Sequence, residues 1–497
     1  MDANEAAAFS RPVAAAAALG EAAEDRHRFI NKRVLLTGEN AVLVTPNGHR
    51  IAHDALMLLI RVCANVTVGL PASCVSLRDN LQRLARDVHP GMVVEFVDEP
   101  FTFEGFDAIL SIGIHARSDL PWTVINSHGW LARVSSGASH LSQEYHQANP
   151  IGALAAASLG VCETFKRLIA LRAERGALID GLSFSLWTYS RSDDPGPTLP
   201  AQIRLRFFLV GAGAIGNGIS HLISNLPITG EVVIVDPQCY GAENWGTSLR
   251  LRLADVGRPK AAVLSEILKP NMSATALAMN IGDLENQSAL PYPKIVLGGL
   301  DNVDARHSVQ SLWPDIAIDG AIGSDFSCQV SCHPWGRDIG CMLCVFQLDS
   351  VYQRAEVVAS KATGLSEALC AQPDAVLTEY DVFAAPEGKR AWLAERVGKT
   401  ICSVIAEADL QKLSTESQRV GFAPSVPFVA CYSACMVVTE LTRYLETGQT
   451  VPTPRWQMNM LWGPDKGIDF PEPRGTHCFC VARSRNIERI RASRACG

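Results

Sequence analysis

The chain has 497 residues, a formal net charge of −7 and fifteen cysteines, and its length predicts two to four domains with sizeable cores. The negative charge argues against a nucleic-acid partner, and no uninterrupted apolar run reaches the roughly 18 residues of a membrane span. Because the acidic first residues do not resemble a secretory signal, we expect a reducing, cytoplasmic environment, where cysteines serve as buried side chains, metal ligands or nucleophiles.

The first half of the chain has the hydrophobic pattern of an α/β domain. An Ala- and Glu-rich helix is expected before the first strand, and strands are predicted at 33–38, 66–70, 92–96, 106–113 and 121–127, with a helix at 51–62. The segment after the first strand, Glu39–His49, lacks the glycine spacing of a nucleotide-binding loop. This half is therefore not expected to bind a nucleotide. A segment rich in proline and glycine, residues 181–202, is predicted to be a linker.

The second half opens with a nucleotide-binding pattern. An apolar strand leads into Gly211, Gly213 and Gly216 and a helical segment, and a second strand ends in Asp236. The glycines permit a tight turn, close approach of a phosphate and close packing of helix on strand. The helix N-terminus favours the phosphate charge, and Asp236 can accept hydrogen bonds from both ribose hydroxyls.

Polar residues further along the chain favour adenylation over hydride transfer. Asn244 follows the second strand, Lys260 follows a Gly-Arg-Pro turn, and Asp301 and Asn302 follow another apolar strand. A lysine can neutralise phosphate charge and an aspartate can hold Mg²⁺ at a pyrophosphate leaving group, whereas a dehydrogenase needs neither.

In this order the motifs resemble the ThiF/MoeB/ubiquitin-activating enzyme superfamily. The resemblance is close over residues 205–337 and rests on GAGAIGN, Asp236, Asn244, GRPK ending at Lys260, LDN ending at Asn302 and IDG ending at Gly320. It implies that ATP and Mg²⁺ are used, with Mg²⁺ held by Asp301. It also implies that ATP is bound by Gly211, Gly213, Gly216, Asp236, Asn244, Lys260, Asp301 and Asn302.

The phosphate-contacting arginine is the least defined part of this resemblance. Gln238 replaces a second aspartate of the family, and Thr247 stands where an arginine is usual. The replacement candidates are Arg250 and Arg252, and the candidates for the arginine that the family takes from the partner copy's N-terminal helix are Arg26 and Arg28.

Internal similarity predicts that the first half is a diverged copy of the second, although two unrelated α/β domains would also share strand patterns. Residues 106–113 correspond to 294–300, 121–127 to 314–320, and 149–166 to 424–442. The expected fold is therefore α/β, with two Rossmann-like ThiF-type adenylation domains in tandem as a pseudodimer. The predicted domains are a degenerate adenylation domain at 1–190, the ATP-binding part of the active domain at 191–344, a cysteine-bearing insertion at 345–420 and the return of the active domain at 421–497.

Two cysteine pairs predict a structural zinc site in the second half. Cys341 and Cys344 form one pair and Cys478 and Cys480 the other, and four thiolates suit tetrahedral Zn²⁺. The family uses two CxxC pairs, so the CxC pair is a departure, and His477 could replace one sulfur.

The family resemblance places the catalytic cysteine in the insertion. We favour Cys402, because nearby Lys399 and a helix start would lower the pKa of its thiol. Cys370 has apolar neighbours typical of a packed thiol, and Cys328 and Cys332 are expected in the core.

The resemblance implies ATP-dependent activation of a ubiquitin-like protein that ends in glycine, thioester formation on Cys402 and transfer to a conjugating enzyme. A prokaryotic, defence-type conjugation pathway would fit the divergent motifs. The alternatives are a sulfur-carrier or peptide adenylyltransferase without a thioester, a non-catalytic scaffold and an NAD-dependent oxidoreductase.

Overall fold

Each half of the chain contributes an eight-stranded sheet, and the two sheets have the same strand order. The computed structural model describes residues 8–19, 29–89, 94–286, 292–323, 325–346, 355–372, 374–405, 408, 426–450 and 455–495. The sheet orders are β3-β2-β1-β4-β5-β6-β7-β8 and β11-β10-β9-β12-β13-β14-β15-β16. In both sheets the first five strands in this spatial order are parallel and the remaining neighbours antiparallel.

The strands of the first sheet are β1 Arg33–Gly38, β2 Asn65–Leu70, β3 Glu95–Asp98, β4 Ala108–Ile112, β5 Trp122–His128, β6 Leu131–Ser135, β7 Leu182–Ser185 and β8 Ser190–Arg191. Those of the second are β9 Ile203–Val210, β10 Ile228–Val235, β11 Met272–Leu277, β12 Ile295–Gly298, β13 Ile316–Ile322, β14 Ser327–Pro334, β15 Arg455–Asn459 and β16 Gly463–Phe470. The central strands are buried along most of their length, as their continuous apolar sequences predict for parallel strands covered on both faces.

The helices of the first half are α1 Ser10–Ala18, α2 Asn40–Leu43, α3 Pro46–Leu59, α4 Val75–Val88 and α5 Pro150–Leu168. Those of the second half are α6 Ala214–Asn225, α7 Lys260–Leu268, α8 Val303–Ser311, α9 Met342–Val345, α10 Ala355–Thr363, α11 Glu367–Cys370, α12 Glu379–Ala384, α13 Glu387–Ala394, α14 Pro427–Thr447, α15 Phe479–Ala482 and α16 Ser484–Ala495. Short 3₁₀ turns occupy Phe29–Asn31, Ala242–Asn244, Leu253–Asp255 and Ile281–Asn286. No helix in the described ranges is long and apolar enough to cross a membrane.

The two halves share one hydrophobic core, which confirms the predicted pseudodimer. Helix α5 of the first half packs against α14 of the second, and the rings of Phe165 and Phe428 lie 5.6 Å apart across this contact. The predicted correspondence also holds, since β4 matches β12, β5 matches β13 and α5 matches α14 in the strand and helix order.

The degenerate half retains the third glycine of the nucleotide-binding pattern. A Cβ atom at Gly48, in α3, would lie 1.9 Å from the carbonyl oxygen of Val42. A Cβ atom at Gly216, in α6, would lie 2.0 Å from the carbonyl oxygen of Gly211. The close approach of each helix to the segment that precedes it therefore requires glycine in both halves.

The predicted linker is partly wrong, because residues 181–202 contain β7 and β8 of the first sheet. Leu182 and Phe184 alternate into the core, and the Trp130 indole donates a hydrogen bond to the Pro197 carbonyl at 2.8 Å. The proline content is misleading, because the segment is hydrogen-bonded to the first half as far as Pro197.

The insertion between β14 and α14 contains short helices with their own small core. Its described residues include α10 to α13 and a helical turn at 401–405. The side chains that form this core are Ala359, Leu365, Cys370, Leu377, Ala385, Leu393, Ile401 and Val404. The predicted start of this segment, residue 345, lies within α9. Its predicted end, residue 420, lies outside the described residues.

Candidate active site

The glycine loop connects β9 to α6 and leaves open space where a phosphate is expected. Gly211 has a φ of +89°, which only glycine adopts readily, and a Cβ there would lie 2.7 Å from the Gly299 carbonyl. Gly213 is the N-cap of α6, and no atom of the described residues lies within 4 Å of its Cβ position. Within the described part of the chain no side chain caps α6 at this end, so its first N–H groups face the open space beside Gly213.

Asp236 at the end of β10 is part of the loop's own hydrogen-bond network. Its carboxylate accepts hydrogen bonds from the backbone N–H groups of Ala212, at 2.7 Å, and Gln238, at 2.8 Å. Burial raises the pKa of Asp236, opposed by Lys260 and by these two N–H groups. The carboxylate thus fixes the glycine loop, and its additional role as a ribose ligand stays a prediction.

Lys260, the first residue of α7, lies beside Asp236 with a neutral hydrogen-bond partner. Its Nζ donates to Oε1 of Gln238 at 2.6 Å, and the residue is buried. Gln238 is the residue that replaces an aspartate of the family. Because an amide cannot neutralise the ammonium, this replacement leaves more positive charge available to a phosphate.

Asp301 is not the cap of α8. Asn302 takes that position, and its Oδ1 accepts the Ala305 N–H at 2.7 Å. Asp301 remains exposed at the carboxyl edge of the sheet, and its charge acts on both Asp236 and Asp319. An exposed carboxylate at this edge fits a Mg²⁺ ligand, since Mg²⁺ binds through one or two carboxylates plus phosphate oxygens.

The side chains of Asp319 and Asn244 bond to other groups of the protein. Asp319 is fully buried in β13 and pairs with Nε of Arg306 at 2.7 Å. Asn244 Oδ1 accepts the Gly241 N–H at 2.9 Å and closes the turn after β10. A direct contact of Asn244 with ATP stays a prediction.

Of the predicted arginines, Arg250 lies beside α6, and its backbone N–H donates to Oδ1 of Asn217 at 2.7 Å. Nη1 of Arg250 lies 3.4 Å from Nδ1 of His221, two turns into α6, and Arg252 is exposed. Arg26 and Arg28 lie outside the described residues.

Arg11 is a charged residue of the site that the sequence reasoning missed. It lies in α1, and the residues just before α1 pack against the second half. The Phe9 ring lies 5.9 Å from the Trp245 ring, and the Ala8 carbonyl oxygen lies 2.3 Å from the position of a Cβ atom built on Gly246. Its charge lowers the pKa of Cys402. The sequence shows an arginine at the start of the alanine-rich helix, but it does not show that this helix packs against the second half.

Cys402 lies against the nucleotide-binding half, in the first turn of the helical segment at 401–405. Its Sγ donates a hydrogen bond to Oε1 of Glu243 at 3.9 Å. Burial and the Glu243 charge raise the pKa of the thiol, while Lys260 and Arg11 oppose them. The predicted lowering of this pKa by Lys399 and the helix start is therefore wrong, because desolvation and the adjacent carboxylate are larger effects.

The other cysteines near the second sheet are packed as predicted. Cys370 is buried in the insertion's core, with its sulfur 3.9 Å from Thr363 Oγ1. Cys328 and Cys332 are buried in β14. Cys239, by contrast, is partly exposed next to Gln238.

The two cysteine pairs predicted to bind a metal meet in one cluster. The Sγ atoms of Cys341 and Cys344 are 3.6 Å apart, those of Cys341 and Cys478 3.7 Å, and those of Cys344 and Cys480 3.6 Å. Tetrahedral zinc–thiolate bonds of about 2.3 Å require sulfur–sulfur distances of about 3.8 Å. The geometry therefore fits a four-thiolate zinc site, and exposed His477 does not belong to the cluster.

The fold and the residues around the glycine loop define an E1-like adenylating module that uses ATP. Residues 202–468 match the ThiF family, and the chain belongs to that family, as predicted. It is 23% identical over 438 residues to uncharacterized protein y4jF of Sinorhizobium fredii, covering 82% of this chain and 80% of that protein. Over 124 residues it is 27% identical to the NEDD8-activating enzyme E1 catalytic subunit of Arabidopsis thaliana, covering 24% of this chain and 27% of that subunit. Among solved structures, E. coli MccB is similar with a TM-score of 0.35 and 16% identity, covering 74% of this chain and 96% of MccB.

Proposed function

We propose that the protein activates the C-terminal carboxylate of a ubiquitin-like protein and transfers it, through a thioester on Cys402, to a conjugating enzyme. In the first step the carboxylate attacks the α-phosphate of ATP, which gives an acyl-adenylate and pyrophosphate. In the second step the Cys402 thiol accepts the acyl group and AMP leaves. The observation that carries the proposal is the contact between Cys402 of the insertion and Glu243 of the nucleotide-binding half.

The first step needs positioning of ATP and neutralisation of its charge. We assign the phosphates to Gly213, the N-terminus of α6 and Lys260, whose neutral partner Gln238 leaves its charge available. Asp301 would hold Mg²⁺ at the leaving pyrophosphate, which its exposed carboxylate supports. Arg11 is our replacement for the arginine that the inactive copy contributes.

The second step needs a thiol close to the adenylate. The effects of Lys260 and Arg11 on the pKa of Cys402 support this role, because both cations are assigned here to the phosphates. The four-cysteine cluster is assigned to a structural Zn²⁺ that links α9 to α15, since all four ligand positions are filled by sulfur and none is open for catalysis.

One observation favours a second candidate, an adenylyltransferase for a peptide or sulfur-carrier protein without a thioester. The pKa of Cys402 is raised, so little of its thiol is the nucleophilic thiolate at neutral pH. A scaffold or an NAD-dependent oxidoreductase is less favoured, because neither function needs both a lysine and an aspartate at the phosphates.

The test is mass spectrometry of the full chain incubated with ATP, Mg²⁺ and a ubiquitin-like protein ending in glycine that is encoded beside its gene. Wild-type protein should form a covalent adduct that dithiothreitol removes. Cys402→Ala should lose this adduct, and the matched variant Cys370→Ala, in the same insertion, should keep it. An adenylate without an adduct in the wild-type protein would favour the second candidate, and an adduct on Cys402→Ala would reject Cys402 as the acceptor.

A further inference from the structure

A buried carboxylate accepts a hydrogen bond from the Cys402 thiol. Glu243 is 7% exposed and lies in the 3₁₀ turn Ala242–Asn244 after β10, whereas Cys402 belongs to the insertion. The distance from Sγ to Oε1 is 3.9 Å. The two groups are therefore a proton donor and a proton acceptor already in contact when the insertion lies on the nucleotide-binding half.

We propose that Glu243 is the general base that removes the proton of Cys402 when this thiol accepts an acyl group from an adenylate. The inference rests on the proposed function, because it concerns the second step of that reaction. A base in contact with the attacking group typically contributes about 10²- to 10⁴-fold to a rate.

The step is balanced within the groups named. The S–H bond of Cys402 breaks and its proton moves to a carboxylate oxygen of Glu243. The sulfur electron pair forms the S–C bond to the acyl carbon, and the C–O bond to the phosphate breaks, so that AMP leaves with that electron pair. The products are the thioester, AMP and protonated Glu243.

The setting of Cys402 makes such a base useful. Burial and the Glu243 charge raise the pKa of the thiol, so a mechanism that waits for free thiolate would be slow near neutral pH. Contact with a carboxylate allows the proton to leave during the attack instead. The Glu243 carboxylate thus has two effects. Its negative charge disfavours a free thiolate at Cys402, but it accepts the thiol proton while the sulfur attacks.

This reasoning gives opposite expectations for two reactions of one thiol. Alkylation by iodoacetamide follows the thiolate fraction, so Glu243→Gln should alkylate Cys402 faster, because a nearby negative charge is removed. Acylation should become slower, because the proton acceptor is removed. A role of Glu243 that is only electrostatic would make both reactions faster.

Asp374 provides a matched control. It is exposed, and its charge also raises the pKa of Cys402, although less than the Glu243 charge does. Asp374→Asn should therefore leave acylation at or above the wild-type rate. Glu243→Asp, which keeps a carboxylate on a shorter side chain, should recover part of the rate that Glu243→Gln loses.

The experiment uses the full chain and a synthetic N-acetyl-glycylglycyl adenylate, which bypasses the ATP step. Acylation and alkylation are measured by mass spectrometry of the tryptic peptide 400–412, with hydroxylamine to identify the thioester. We expect about a hundredfold slower acylation in Glu243→Gln, with faster alkylation and an unchanged thermal unfolding midpoint. Parallel changes in the two rates, or an equal loss in Asp374→Asn, would overturn the role of Glu243 and leave the proposed function standing. A wild-type protein that is not acylated at Cys402 would overturn both.

Discussion

At the scale of single residues, the site depends on which charges are neutralised and which are not. Asp319 is a buried aspartate whose charge is paired with Arg306, so it is not available to a ligand. Lys260 and Asp301 differ from it, because Lys260 donates its hydrogen bond to the side-chain amide of Gln238 and Asp301 is exposed. A substrate with both phosphate groups and Mg²⁺ would complement these two residues.

The first prediction concerns these two charges. Lys260→Ala or Asp301→Ala should reduce pyrophosphate exchange into ATP at least about a hundredfold, because each removes a charge that stabilises the transition state. Lys269→Ala, at the opposite end of α7, and Asp304→Ala, three residues after Asp301, are controls that change exposed charges of the same sign. Exchange at the wild-type rate in either test variant would remove that residue from the proposed site, provided that circular dichroism shows the fold intact.

At the scale of secondary-structure elements, the sequence predicts what is local. Continuous apolar runs identify β9, β10 and β12, and the spacing of Gly211, Gly213 and Gly216 identifies the turn, because both depend on a few neighbouring residues. The contact of Cys402 with Glu243 joins residues 159 positions apart, and burial and the Glu243 charge together raise the pKa of the thiol. No local pattern encodes that, and the pKa of Cys402 was accordingly predicted in the wrong direction.

The position of Arg11 could not be predicted for the same reason. Helix α1 belongs by sequence to the first half, but it packs against Trp245 of the second. The cysteine cluster was predictable even though Cys341 and Cys478 are 137 positions apart, because short cysteine pairs carry a spacing pattern of their own.

The second prediction concerns the elements joined by that cluster. Purified protein should contain about one Zn²⁺ per chain, and Cys341→Ser should lose most of it, because a hydroxyl replaces one of four thiolates. His477→Ala is the control, since His477 is exposed next to Cys478 but outside the cluster. Metal content is measured by atomic emission on the gel-filtered protein. A full equivalent in Cys341→Ser, or loss of zinc in His477→Ala, would contradict the assigned ligands.

At the scale of the whole molecule, the first half shapes the candidate site of the second half. Arg61, buried in the first half, donates hydrogen bonds to the backbone carbonyls of Trp245, Ser248 and Leu251, at 3.1, 3.1 and 2.8 Å. These residues follow Asn244 in the second half. Truncation of Arg61 would remove this donor from the Trp245 and Leu251 carbonyls, which typically costs about 1–3 kcal/mol for each unsatisfied group, whereas the Ser248 carbonyl keeps the Leu251 N–H at 3.1 Å. The first half is therefore a structural part of the candidate site.

Buried ionisable groups also meet across the two halves. Nε2 of His221, in α6, lies 3.0 Å from Oδ1 of Asp54, in α3. The rings of His53 and His221 stack with centroids 6.3 Å apart, and Arg250 lies on the other ring nitrogen of His221. Burial lowers the pKa of His221 to about 4, although Asp54 opposes this effect. His221 is therefore neutral in the folded protein at neutral pH.

The third prediction follows from this depressed pKa. In the unfolded chain a histidine has a pKa of about 6.5, so between about pH 6.5 and pH 4 the unfolded state binds a proton that the folded state does not. Stability must therefore fall as the pH falls through this window, and His221 accounts for up to about 3 kcal/mol of the loss. The thermal unfolding midpoint, measured by calorimetry from pH 8 to pH 4, should decrease accordingly.

His221→Gln should make this decrease shallower without abolishing it. His333, whose pKa is also lowered to about 4 by burial, contributes to the decrease with the same sign. His477→Gln, which changes an exposed histidine, should retain the wild-type slope. An unchanged slope in His221→Gln would show that the interface does not hold His221 in its neutral form.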